Sequence, residues 1–230
     1  MNFVDRLPAS LRRAARLALG LAVMAAPPAV AEEVRNHFDT DFMMRAPGFF
    51  DLVVLGEPGK PRWLVLTDPN PPSSPNRLAQ TESQLPAGSI AAALRRNVAF
   101  QDGTASTFIK QGPGHAGMIV RMKDEKNFVL LLANTATGEV VLSAWDGGKA
   151  SEIGRGQAAF AQPWQRLSVR MSGADLSVTF GDKGAGDRVL FVGKDPKPAA
   201  GRAGLAAQGP GEASFDEFIL DFAGPAAPPK

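Results

Sequence analysis

The stretch Gly114–Asn134, GHAGMIVRMKDEKNFVLLLAN, constrains the fold more than any other part of the chain. Two apolar runs, Met118–Met122 and Phe128–Ala133, flank the charged link Lys123–Asn127. Short β-rich runs joined by a brief polar link read as a β-hairpin. The runs are nearly continuous rather than alternating, so both faces of these strands need cover, as at the centre of a sandwich. One polar residue, Arg121, interrupts the first run. A guanidinium among apolar neighbours is costly unless paired, so Arg121 either reaches an edge or lines a cleft.

The same texture recurs along the chain. β-rich runs appear at Phe49–Leu55, Pro61–Thr67, Asn76–Gln80, Ala105–Lys110, Glu139–Asp146, Ala150–Arg155, Arg188–Val192, Gly201–Ala207 and Ala213–Phe222. In Gln165–Met171, Leu167, Val169 and Met171 alternate with Arg166, Ser168 and Arg170, and Leu176, Val178 and Phe180 repeat the pattern. Gly147-Gly148 is a hairpin turn. Asn36–Asp41 is expected as a short first strand. Asp68–Asn76 carries four prolines in nine residues and is expected as an ordered loop. Leu85–Arg96 reads two ways, as a strand of poor β composition or as a short surface helix through Ala91–Arg96. About a dozen short strands with almost no helix predict an all-β sandwich or jelly roll. No internal repeat points to a propeller or β-helix.

The N-terminus stands apart. Arg6, Arg12, Arg13 and Arg16 precede the apolar run Leu17–Ala26, and Ala29-Val30-Ala31 supplies a small-x-small cleavage pattern. This predicts a signal peptide over residues 1–31, a domain over 32–222 and a Pro/Ala tail over 223–230 expected to be disordered. The apolar run is too short to span a bilayer, which needs about 20 residues. The expected destination is the periplasm or the exterior.

Cleavage after Ala31 removes four arginines and one aspartate, leaving 21 basic and 22 acidic residues, a net charge of −1. A near-neutral domain gives no electrostatic case for nucleic acid or an anionic membrane as partner. Cysteine is absent, which excludes disulfides and thiol chemistry, and two histidines are too few for a zinc site built from Cys and His ligands. A calcium site of oxygen ligands remains open to such a composition.

Several elements occur in a familiar order: Gly117-Met118-Ile119-Val120-Arg121, Asp124 to Asn127-Phe128, Trp164-x-x-Leu167-x-Val169, Gly201-Arg202-Ala203-Gly204-Leu205 and Phe215-Asp216-Glu217-Phe218. Earlier come Asn36–Asp41, the Trp63 strand and Asn76–Gln80 after the Pro/Ser loop. Over residues 38–222 this order resembles the concanavalin A-like superfamily, and within it exported bacterial proteins with a 3-keto-disaccharide hydrolase-like (laminarinase-like) domain. The resemblance implies a two-sheet antiparallel β-sandwich whose concave face binds carbohydrate in many relatives. It also implies a structural calcium near Asp39, Asp41 and Asp216. One departure stands out: Val129 and Leu132 replace the aromatic and basic residues such relatives carry, removing a stacking platform and a donor fork.

Glycoside hydrolysis needs two carboxyls across the scissile bond. The laminarinase arrangement of carboxylates on alternating positions of one strand is absent. Asp216 and Asp221 lie on opposite faces of their strand. No G-x-S-x-G elbow is present for nucleophilic catalysis. The sequence therefore favours a non-catalytic saccharide- or envelope-glycan-binding domain, with Trp145 and Trp164 as stacking residues and Arg121, Asn134, Gln80 and His115 as hydrogen-bonding ones. The alternatives are a glycoside hydrolase-like enzyme acting on 3-keto or β-linked sugars, and a structural or interaction protein of the envelope. An apolar binding face would favour the last.

Overall fold

The computed structural model describes residues 31–183 and 186–223, so the predicted signal peptide and tail lie outside the described residues, except Ala31 and Ala223. Fifteen strands follow one another: β1 (Ala31–Asn36), β2 (Phe50–Leu55), β3 (Lys60–Thr67), β4 (Asn76–Gln84), β5 (Ile90–Phe100), β6 (Gly103–Lys110), β7 (His115–Asp124) and β8 (Asn127–Asn134). They continue as β9 (Glu139–Asp146), β10 (Lys149–Gln157), β11 (Trp164–Ser172), β12 (Asp175–Asp182), β13 (Gly186–Lys194), β14 (Gly201–Gln208) and β15 (Ala213–Ala223).

They form two antiparallel sheets. The seven-stranded sheet runs β10-β9-β8-β7-β14-β5-β2, and the eight-stranded sheet runs β13-β12-β11-β6-β15-β4-β3 with β1 also paired to β15. The opening hairpin is β7–β8, and it lies inside the first sheet as its apolar runs require. Met118, Val120, Val129 and Leu131 face the other sheet, where they meet Leu167, Val169, Val178 and Phe180 in the main core. The alternation read in β11 and β12 therefore has the expected polarity.

Two segments differ from expectation. Ala91–Arg96 belongs to a strand, not a helix. Its alanines lie between β14 and β2, where the registers pair Ala92 with Ala206 and with Val53. Burial between two neighbours overrides the intrinsic preference of alanine. The first strand ends at Asn36 rather than beginning there, because Phe38 takes a left-handed backbone (φ 64°) and turns the chain away, its ring buried against Phe50.

On the side of β10 and β13 the two sheets close on each other. The Phe191 ring lies so close to β10 that a Cβ on Gly154 or Gly156 would stand 2.6 Å from it. A Cβ on Gly193 would meet the Ile153 carbonyl at 2.6 Å.

Candidate functional site

The face of the seven-stranded sheet turned away from the main core carries a second apolar cluster and two cavities. Strand alternation builds it. From β9 come Glu139, Val141, Ser143 and Trp145; from β8, Phe128, Leu130, Leu132 and Asn134; from β7, His115 and Ile119. The register places them in rows: Asn134 beside His115 beside Gln208, and Leu130 beside Ile119 beside Gly204. The middle of the face is apolar, with Leu94, Ile119, Leu130 and Ala206 in one cluster.

Two glycines let the middle strands approach. A Cβ on Gly117 would stand 1.9 Å from the Leu131 carbonyl oxygen, and one on Gly204 would stand 2.2 Å from that of Ala93. No other residue fits at such a distance from backbone.

At one end of this face the polar side chains converge. His115, Asn134, Glu139, Ser143, Trp145 and Gln208 line a cavity of about 260 Å³ together with Leu130, Leu132 and Val141. Trp145 is half-buried and stacks on Phe128 with ring centroids 5.1 Å apart and planes 16° apart, which fixes the indole. Asn134 accepts from the backbone N–H of Ala136 and of Thr137 at 3.1 Å each, so a turn bond holds its side chain. His115 Nδ1 is buried without a hydrogen-bond partner among the described residues. Gln208 Nε2 donates to the Gly88 carbonyl at 2.9 Å. Glu139 accepts from Arg155, which also pairs with Glu152. Fixed amide, imidazole and indole groups around a small hollow can hold hydroxyls and stack on a ring face.

Three of the six predicted ligand-binding residues, His115, Asn134 and Trp145, meet here. The other three lie elsewhere. Gln80 is buried in β4 of the opposite sheet. Trp164 is buried at the start of β11, with the Lys110 ammonium 5.7 Å from its ring centroid.

Arg121 sits at a bulge in β7 with φ 53° and is 3 % exposed. Its Nη1 donates to Asp195 at 2.8 Å, its Nε to the Gln101 carbonyl at 3.0 Å and its Nη2 to the Gly173 carbonyl at 2.7 Å. Asp102 lies 3.4 Å away. The guanidinium thus ties three loops at one end of the sandwich, and the crevice beside it holds only about 40 Å³.

The residues of the calcium expectation are engaged with protein. Asp39 accepts from Asn76 N at 3.0 Å, and Asp41 accepts from Gly48 N at 3.2 Å. Asp216 is fully buried and accepts from Ser73 N at 2.6 Å, Ser73 Oγ at 2.8 Å and Glu217 N at 2.7 Å. Burial is the main influence on its carboxyl, raising the pKa to about 7 against the pull of those donors, with the Asp39 charge adding to the rise. Among the described residues no group of three or more His, Asp or Glu side chains is placed to hold a metal ion.

A further ionic network, unforeseen in the sequence, anchors the Pro/Ser loop to the eight-stranded sheet. Buried Asp68 pairs with Lys110 and, at 3.2 Å, with Arg77, which also reaches Glu212 at 2.6 Å. Burial opposes ionisation of Asp68, but the bonds from Lys110 and Asn70 outweigh it and hold the carboxyl below its ordinary range.

No family model and no curated protein sequence matches the chain. Solved structures do. A carbohydrate-binding module, CBM66 from Bacillus subtilis, is 16 % identical over 74 % of this chain and 94 % of its own, with a TM-score of 0.52. The exoplasmic/lumenal domain of VIP36, solved with Ca²⁺ and Man3GlcNAc, is 14 % identical over 76 % of this chain and 83 % of its own, at 0.51. The xyloglucan-locus GH43B protein of Bacteroides ovatus is 15 % identical over 84 % of this chain and 39 % of its own, at 0.50. The fold is a lectin-like β-sandwich. At these identities the likeness concerns the fold alone.

Of the two family-based departures, only one bears on the cavity. Leu132 lines it, whereas Val129 points into the main core. Glu139, Ser143 and Gln208 were not foreseen as site residues. The first two follow from counting back from Trp145 in steps of two along β9. Gln208 needs the β14–β7 register, which no local pattern reveals.

Proposed function

We propose that this is an exported, non-catalytic binding domain, working in the periplasm or outside the cell, that holds a saccharide or envelope glycan at the His115–Asn134–Trp145 end of the seven-stranded sheet. The observation that carries this is the convergence of a fixed indole, an amide and an imidazole on one hollow, in a face that is otherwise apolar. The fold shared with a carbohydrate-binding module and with a lumenal domain solved with a bound glycan supports the ligand class. The cavity is smaller than the roughly 300–1,000 Å³ of drug-sized ligand sites, so it suits one sugar unit or the end of a chain. Glu139 is the one carboxylate among its lining residues, and Arg155 occupies it. A pair across a glycosidic bond is what hydrolysis of a 3-keto or β-linked sugar would require, so binding is the better-supported reading.

A second reading has its own observation. The apolar middle of the same face suits an envelope interaction protein better than a sugar-only surface does. Glycan-array screening followed by calorimetric titration separates the two. The saccharide reading expects a hit whose affinity falls at least about tenfold in Trp145→Ala. No binding across the array, or a hit that Trp145→Ala and His115→Ala leave unchanged, rejects it.

A further inference from the structure

The net charge of the mature chain argued against an anionic surface as partner, but the loop between β1 and β2 is a local exception. Its backbone is well tied. Met44 N donates to the Val65 carbonyl, and Val65 N donates to that of Arg45, both at 2.8 Å, so the loop runs along the edge of β3. The Asp41 carboxylate accepts from Gly48 N within the same loop. On this frame Phe42, Met43, Met44 and Phe49 are 79 %, 50 %, 61 % and 64 % exposed. Four large apolar side chains left exposed within the eight residues 42–49 mark an interaction site.

Two guanidiniums stand over the rings. Arg45 lies 5.7 Å from the Phe42 centroid, and Arg95 lies 4.9 Å from that of Phe49. Among the described residues neither forms an ion pair with a carboxylate. Arg95 donates only to the carbonyls of Phe49 at 3.3 Å and Arg96 at 3.1 Å, and its Nε is buried without a partner. Burial, and then the adjacent Arg96 charge, lower its pKa, the mark of a cation short of an anion. Arg96 has its own anion in Asp51 at 2.6 Å.

We propose that this loop docks the protein on an anionic lipid bilayer, with Phe42, Met43, Met44 and Phe49 entering the headgroup region and Arg45 and Arg95 taking lipid phosphates. The uncompensated arginines supply the charge complementarity. The apolar tips project from one edge loop, whereas a stable protein–protein contact buries about 1,200 Å² or more over a broad patch. A few inserted side chains with basic neighbours give reversible attachment to an interface.

Co-sedimentation of the purified protein with phosphatidylcholine vesicles and with vesicles rich in phosphatidylglycerol tests this. All forms carry the same N-terminus, so differences between them report the loop. Retention is expected on the anionic vesicles at low ionic strength, with release by salt. Arg45→Gln should weaken it about fivefold. Phe42→Ser/Met44→Ser, at exposed positions that leave the thermal midpoint unchanged, should abolish it. Failure of the parent protein to bind anionic vesicles, or equal binding by Phe42→Ser/Met44→Ser, overturns the proposal. So does a concentration-dependent dimer that the same substitutions dissolve, since it assigns the loop to a second copy.

Discussion

Arg121 and Asp195 form a buried ion pair, 2.8 Å from Nη1 to carboxylate, that joins the seven-stranded sheet to the loop after β13. Each is at most 5 % exposed. Asp195 is further held by the Lys197 N–H at 2.9 Å, and its own N–H donates to the Ala174 carbonyl at 2.8 Å. The arginine that looked most like a cleft residue is therefore a clamp on the sandwich end.

Removing one partner leaves a buried charge unanswered. Arg121→Met is expected to cost about 3–5 kcal/mol in urea unfolding, and Asp195→Ala a similar amount. The double variant Arg121→Met/Asp195→Leu should recover part of that loss. Saccharide affinity, measured where the variants remain folded, should not move. Additive single losses would remove the clamp from the account.

Asn134 separates turn from ligand. Its side-chain oxygen caps the turn through Ala136 and Thr137, a bond Asn134→Asp retains and Asn134→Ala loses. Asn134→Asp should keep the thermal midpoint while weakening saccharide binding, because the Nδ2 donor is gone. Asn134→Ala should lower both, with a stability loss on the order of 1 kcal/mol. Full affinity in Asn134→Asp, read by calorimetry, would falsify a role for the amide in binding.

Asp216 predicts a pH dependence of stability. Its carboxyl is raised from 3.8 to about 7 by folding, so between those values the native state keeps a proton that the unfolded chain has released. Stability from this group is therefore fully present below about pH 3.8, falls as pH rises through the interval, and levels off above about 7. The slope is at most about 1.4 kcal/mol per pH unit. Asp216→Asn should flatten that segment in urea titrations carried out over roughly pH 4 to 8. Parallel curves for the two proteins would count against it.

Gly117 and Gly204 are predicted to be intolerant of alanine. Each would drive a methyl into a neighbouring strand's backbone, at 1.9 and 2.2 Å. Gly117→Ala should destabilise by several kcal/mol, on the order of an overpacked core position. Gly147→Ala serves as the comparison, because its Cβ meets nothing and only its φ of 57° opposes the change. Equal thermal midpoints for these two variants would contradict the close approach of β7 and β8.

Much of the fold was legible because it rests on local signals. The β7–β8 hairpin, the alternation of Leu167, Val169 and Met171, and the Gly147-Gly148 turn each announce themselves within about twenty residues. Ala91–Ala93 did not, since alanine becomes strand only through neighbours distant in sequence. The site was half legible for the same reason. Trp145 and Asn134 belong to strands whose faces can be counted. Arg121 could not be placed, because a bulge and a left-handed φ redirect its side chain. The exposed Phe42–Met44 cluster was hidden in plain apolar composition, since a sequence does not say which hydrophobic residues stay wet.

Phe191 and the glycines beneath it have a consequence for solubility. Outer strands of a sheet can recruit foreign strands when their backbone donors and acceptors stand open. Here β10 and β13 press their margins together, and β3 carries the Met44–Arg45 segment on its rim. A concentrated solution of this protein should thus resist fibre growth from the β10/β13 flank. Substituting Gly156 with a bulky residue would pry that seam apart and expose two recruiting edges at once.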